Sequence, residues 1–174
     1  MFEKLKDWTL RRAIRKQAPR QVLFQNYKDI KTVLIVYESE YTEQNAIIKR
    51  LRDDLVKDGK DVALLGYVDK KEIVSLVLPK SRIIGKKNVS CLDKPSEEVI
   101  QFMQQTHYDL LLDLTMHPCR PLHYLALNAR ADFKAGLDMT KGILDFMIST
   151  TEQNSPIFLF EQIIRYLKII NSKS

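Results

Sequence analysis

Two short runs constrain the fold more than anything else in the chain. Thr32-Val33-Leu34-Ile35-Val36-Tyr37 and Leu110-Leu111-Leu112-Asp113-Leu114 are apolar at odd and even positions alike. A strand points successive side chains to opposite faces, so a run that is apolar at both parities needs cover on both sides. Strands buried on both faces belong to parallel sheets flanked by helices. The rest of the chain must therefore supply helices for two layers.

It does so in alternation. Ala46, Ile47, Leu51, Leu55 and Val56 recur at helical spacing after the first run, and Gly59 follows as the expected C′ residue. Residues 61–68 read as the second strand, which completes a right-handed βαβ unit. Asp69-Lys70-Lys71-Glu72 has capping-box spacing for a short helical turn that Pro79 closes. Residues 80–95 carry the weakest pattern, and Val89-Ser90-Cys91 is the expected edge strand there. Ser96 is placed as N-cap of a helix with Glu97 and Glu98 in its first turn, burying Val99, Phe102 and Met103. Residues 110–114 form the next strand. Pro121 suits the first turn of a helix that buries Leu122, Leu125 and Ala126. Residues 132–136 and 144–148 read as shorter strands. Pro156 starts a last helix with Phe160, Ile163, Ile164, Leu167 and Ile170 on one side. The pattern predicts a three-layer α/β sandwich around a mainly parallel sheet of five to six strands.

Charge divides the chain differently. Of 174 residues, the first twenty hold seven basic side chains and only Glu3 and Asp7 as acids, a net +5 out of +6 for the whole. The expectation is a basic amino-terminal arm, residues 1–20, on a single domain of residues 21–174. Residues 2–17 should be helical, ended by Pro19. Packing through Phe2, Leu5 and Trp8 with a solvated basic face is the first expectation for this helix. Docking on a protein partner or an anionic membrane surface is the alternative. Specific nucleic-acid binding is not expected, because aromatic and basic residues elsewhere are too sparse. The start of the chain is charged where a secretory signal needs an apolar run, and no segment nears the roughly 18 apolar residues of a membrane span. With two cysteines, Cys91 and Cys119, and no disulfide argument, the expected location is the cytoplasm, extending to the membrane periphery if the arm docks there.

In doubly wound sheets ligands bind beyond the carboxyl ends of the strands. Two loops qualify. One follows the first strand and offers Glu38, Ser39 and Thr42. The other follows residues 110–114 and offers Asp113, Thr115, His117, Arg120 and His123. The first loop contains no glycine and three glutamates (38, 40 and 43), so backbone amides cannot cradle a pyrophosphate. That excludes a dinucleotide site and a P-loop, and no cofactor is expected. His117-x-Cys119-x-x-x-His123 has ligand types for zinc, but a fourth ligand cannot be named, and no metal is expected. Arg120 sits at a helix start that favours anions, with a salt bridge to Asp113 or a nearby acid as the plainer role. Asp113 is expected to accept from loop amides, Cys119 to be inert and His123 to be half-exposed.

Residues 108–114, 125–131 and 133–136 resemble a passage in the amino-terminal half of heptosyltransferases of lipopolysaccharide synthesis. That resemblance implies a Rossmann-like domain of the kind that forms half of a two-domain glycosyltransferase. Asp113-Leu114, Pro121-Leu122-His123-Tyr124-Leu125-Ala126, residues 131–136 and residues 160–171 are similar to a family of short bacterial proteins of the Bacteroidetes type whose function is unknown. Heptosyltransferases carry a Gly-Asp pair after the first strand, with the aspartate as proposed base. Here that loop reads Glu38-Ser39-Glu40-Tyr41, so the base has no counterpart, and the chain has one domain where they have two. The expected function is a non-enzymatic binding or interaction domain. The rival is a sugar- or phosphate-binding enzyme half using the strand-end loops, completed by a second copy in a homodimer.

Overall fold

The computed structural model describes residues 1–39, 43–71, 73, 80–139, 141–149 and 155–170, with only the backbone of residues 43 and 44. Its elements are α1 (Phe2–Lys16), β1 (Thr32–Glu38), α2 (Glu43–Lys57), β2 (Asp61–Val68), β3 (Ser81–Gly85), α3 (Glu97–Gln105), β4 (His107–Asp113), α4 (Arg120–Asn128), β5 (Arg130–Leu137), β6 (Phe146–Ile148) and α5 (Pro156–Ile169). The strands form one six-stranded sheet in the order β3-β2-β1-β4-β5-β6, every pair parallel.

The central strands explain the order. Val33 to Val36 pair with Leu110 to Asp113 on one side and with residues 62–65 of β2 on the other. The β1–β4 pairing is clamped at its amino end. The Asp109 carboxylate accepts from the amides of Lys31 at 2.7 Å and Thr32 at 2.9 Å, and the Asp109 amide donates to Thr32 Oγ1 at 2.9 Å. Side-chain parity then builds two cores. Val33, Ile35, Tyr37, Leu110 and Leu112 pack with Ile48, Leu51 and Leu55 of α2 and with Ile163 and Leu167 of α5. Leu34, Val36 and Leu111 pack with Val99 and Met103 of α3 and Leu122, Leu125 and Ala126 of α4. Each fully buried Leu or Ile contributes about 1.5–3 kcal/mol of transfer free energy. Gly59 ends α2 at φ +78°, and Ser155 Oγ accepts the Phe158 amide at 3.1 Å to cap α5.

Several expectations need correction. The strand at the β2 edge is Ser81–Gly85, not residues 89–91; Val89 makes only an isolated bridge to Pro95. β3 sits at a sheet edge, where Arg82 can turn outward to Glu98 at 2.8 Å and over the Phe102 ring. Phe102 is therefore 42% exposed, and Ile100 takes its expected place in the core. Ile170 also lies outside the α5 stripe and is exposed. Asp69, Lys70 and Lys71 are not helical, and Glu72 and the proposed stop at Pro79 lie outside the described residues.

The largest correction concerns α1. It docks on α4 through Leu10, Ala13 and Ile14, not through Phe2, Leu5 and Trp8, which are 51%, 44% and 53% exposed. Polar contacts fix the choice of face. Gln17 Nε2 donates to the Leu127 carbonyl at 2.6 Å, and Glu3 and Asp7 pair with Arg120 of α4. Beyond the helix, Arg20 donates to the Ala131 carbonyl at 3.0 Å and pairs with Asp145, so the arm continues along β5.

Candidate functional site

The strand order reverses between β1 and β4, so the loops leaving those strands diverge and open a crevice at the carboxyl end of the sheet. Thr42 lies outside the described residues. Of the other predicted positions, Glu38, Asp113, Thr115 and His117 meet. Glu38 ends β1; its Oε2 accepts the Met116 amide at 3.3 Å and lies 3.2 Å from His117 Nδ1. The end of β1 is thus tied to the β4–α4 loop, with His117 on the exposed rim.

Asp113 sits directly behind. It ends β4, is 3% exposed, and accepts from the Thr115 amide at 3.1 Å and from the Thr115 hydroxyl. Burial pushes its carboxyl up to about 6, the two Thr115 bonds oppose that rise, and the charge of Glu38 adds to it. Gly136 of β5 makes this spot possible. A Cβ there would stand 2.8 Å from the Asp113 carbonyl oxygen and 2.9 Å from its Cβ.

Ser39 and His123 are structural. The Ser39 amide donates to the Tyr67 carbonyl at 2.7 Å, and its hydroxyl donates to Asn45 Oδ1 at 3.2 Å. His123 is not half-exposed but 5% exposed, because α4 lies against the sheet and under α1. Burial, with the Arg120 charge, pulls its imidazole down to about 4, so it is neutral at pH 7. Burial also pushes the Cys119 thiol up to about 12, so no thiolate forms there at pH 7. Among the described residues, His117, Cys119 and His123 do not gather as a metal site.

Arg120 opens α4, yet its partner is not Asp113. Its Nε donates to Asp7 at 2.8 Å, and its Nη1 lies 2.9 Å from Glu3 and 3.2 Å from Asp93. Lys6 joins from α1, 3.2 Å from Asp93. The carboxylates of α1 therefore stand where an anion would stand at this helix start.

Residues 67–70, at the end of β2, were missed as wall residues although the strand itself was predicted. The Tyr67 hydroxyl donates to Asp69 at 3.2 Å, and Lys86 pairs with Asp69 at 3.2 Å. Applying the carboxyl-end rule to β2 as well as β1 and β4 would have found them. Together with Lys6, Glu38, Asp93 and Cys119 they line a crevice of about 660 Å³.

Comparison with known proteins completes the description. In a search of solved structures, the E. coli heptosyltransferase WaaC with ADP matches with a TM-score of 0.51 and 12% identity, over 82% of this chain and 48% of that one. That likeness is one of fold, a Rossmann-like α/β domain, and the chain spans about half the length of the enzyme. None of the curated proteins matches significantly. Among the described residues no helix is long and apolar enough to cross a membrane. The model of a family of unknown function, DUF6913, matches residues 3–170, and the chain belongs to that family.

Proposed function

We propose that this member of the DUF6913 family is a binding domain, without a reaction of its own, that takes a sugar or sugar phosphate at the carboxyl ends of β1, β2 and β4. The observation that carries the reading is the roughly 660 Å³ crevice at the strand-order reversal, whose wall alternates Lys6 and Lys86 with Glu38, Asp69 and Asp93. Carboxylates accept from hydroxyls, and ammonium groups meet phosphate as point charges. A polyhydroxylated ligand with one anionic group satisfies both kinds of wall. In this reading Glu38, Ser39 and Arg120 line the crevice, His117 braces Glu38 from the rim, and Asp113, Thr115 and His123 hold the loops in place.

Two side chains support a reading without a reaction: Cys119 is a neutral thiol and His123 a neutral buried imidazole at pH 7. The reading also takes residues 1–20 as a docking arm on a single domain of residues 21–174, in a bacterial cytoplasm, with α1 engaging a larger partner surface.

Isothermal titration calorimetry with hexoses, heptoses and their phosphates tests the crevice. Binding should weaken about tenfold to a hundredfold in Glu38→Gln and Asp69→Asn, since bonds to charged groups contribute about 1.5–3 kcal/mol each. A panel without a binder, or variants that bind like the parent, refutes the reading.

One observation favours a second reading. Asp113, with its carboxyl raised to about 6 beside Glu38, is chemically fit to act as a base in a glycosyltransferase-like half completed by a second copy. Release of nucleoside diphosphate from a nucleotide sugar by the concentrated protein would establish it.

A further inference from the structure

We propose that α1 is an interfacial helix that docks the protein on an anionic lipid bilayer through the face turned away from α4. The inference rests on the reading of residues 1–20 as a docking arm, and it names the surface.

The helix sorts its side chains by direction. Leu10, Ala13 and Ile14 face α4, and both acids of the helix, Glu3 and Asp7, face Arg120. What remains unpaired outside is of one sign. Lys4, Arg11, Arg12, Arg15 and Lys16 are exposed, and among the described residues none of the five enters an ion pair. Between them stand Leu5 and Trp8, with Phe2 at the edge of the face, each about half exposed, and the Arg12 guanidinium lies 5.1 Å from the Trp8 ring. On the 100° spacing of a helix, Trp8, Arg12 and Leu5 lie opposite Leu10.

That composition fits a bilayer better than an acidic protein or nucleic acid. An electrostatic partner alone gives no reason to hold Leu5 and Trp8 in water among five cations, with Phe2 at their edge. At a headgroup boundary the rings and the leucine enter the acyl edge while the cations stay level with lipid phosphates. Each Lys or Arg near an anionic surface strengthens binding roughly fivefold.

Trp8 is the only tryptophan in the chain, so its emission reports this face directly. The full-length protein should co-sediment with vesicles of equal phosphatidylcholine and phosphatidylglycerol, but not with phosphatidylcholine alone, and Trp8 emission should shift to the blue. Arg12→Glu combined with Arg15→Glu should weaken binding at least about 25-fold. Trp8→Ser should weaken it severalfold, with the far-ultraviolet circular dichroism of both variants unchanged. Unchanged emission with no co-sedimentation overturns the proposal, as does vesicle binding that Trp8→Ser leaves intact. A parallel titration with poly-glutamate separates the two levels. Binding to poly-glutamate without binding to vesicles leaves the docking arm standing and removes the bilayer, and binding to neither removes both.

Discussion

Asp113→Asn gives the sharpest test of how the end of β4 is built. Asp113 is 3% exposed and its carboxyl is raised from 3.8 to about 6, chiefly by burial. The folded state therefore holds this proton more tightly than the unfolded state does. The stability contributed is fully present below about pH 4 and is lost as the pH rises through about 6. The interval corresponds to about 3 kcal/mol. His123 works in the opposite sense over nearly the same range, since its folded value near 4 lies below the ordinary 6.5. The raw pH profile of the parent is therefore a difference of two slopes. Subtracting parent from variant isolates Asp113. The asparagine oxygen keeps both Thr115 bonds, and any unsatisfied amide N–H adds a constant offset of about 1–3 kcal/mol. Urea denaturation from about pH 4 to about pH 8 should show the variant gaining about 3 kcal/mol relative to the parent as the pH rises. A difference that does not vary with pH refutes the reasoning, and one that falls with pH would mean that the Thr115 bonds outweigh burial.

His123→Gln should remove the acid-side loss of stability, so that the variant resists acid between about pH 6.5 and 4 better than the parent does, as read by the same denaturation series. Gly136→Ala should cost about 1–3 kcal/mol by thermal unfolding, because the new Cβ meets Asp113 backbone at 2.8 Å within a paired β4–β5 ladder and neither strand can retreat. Arg120→Ala removes the partner of Glu3 and Asp7, so α1 should detach more often. Trypsin cleavage between residues 11 and 20 should then accelerate severalfold while the sheet stays protected.

Elements whose signal is local were readable from the sequence. β1, β2 and α5 follow from runs of one period, and Gly59 from the need for positive φ. The failures have a common cause. β3 is a short edge strand of mixed polarity, so its place depends on pairing with β2 rather than on its own pattern. The face of α1 that packs was misread because Phe2 and Trp8 are larger than Leu10, Ala13 and Ile14, and size alone pointed to the wrong side. Ion pairs across more than a hundred residues, from Glu3 and Asp7 to Arg120, decide the orientation, and helical periodicity carries no trace of them. The candidate site shows the same division. The loops after β1 and β4 could be named from the strand-end rule, whereas the contact of Glu38 with His117 and the burial of His123 depend on tertiary packing. The wall contributed by β2 was open to the same strand-end rule, whereas the one contributed by α1 needed the assembled sheet.

The central claim is that the crevice at the β1–β4 reversal is where this protein takes a ligand. Amide chemical-shift mapping of the isotopically labelled protein against the sugar and sugar-phosphate panel tests it most directly. The account predicts saturable shifts concentrated at Glu38, Tyr67, Asp69, Cys119 and Arg120. Shifts confined to the apolar groove at the other end of the sheet, around Leu34, Phe102 and Tyr108, would contradict it.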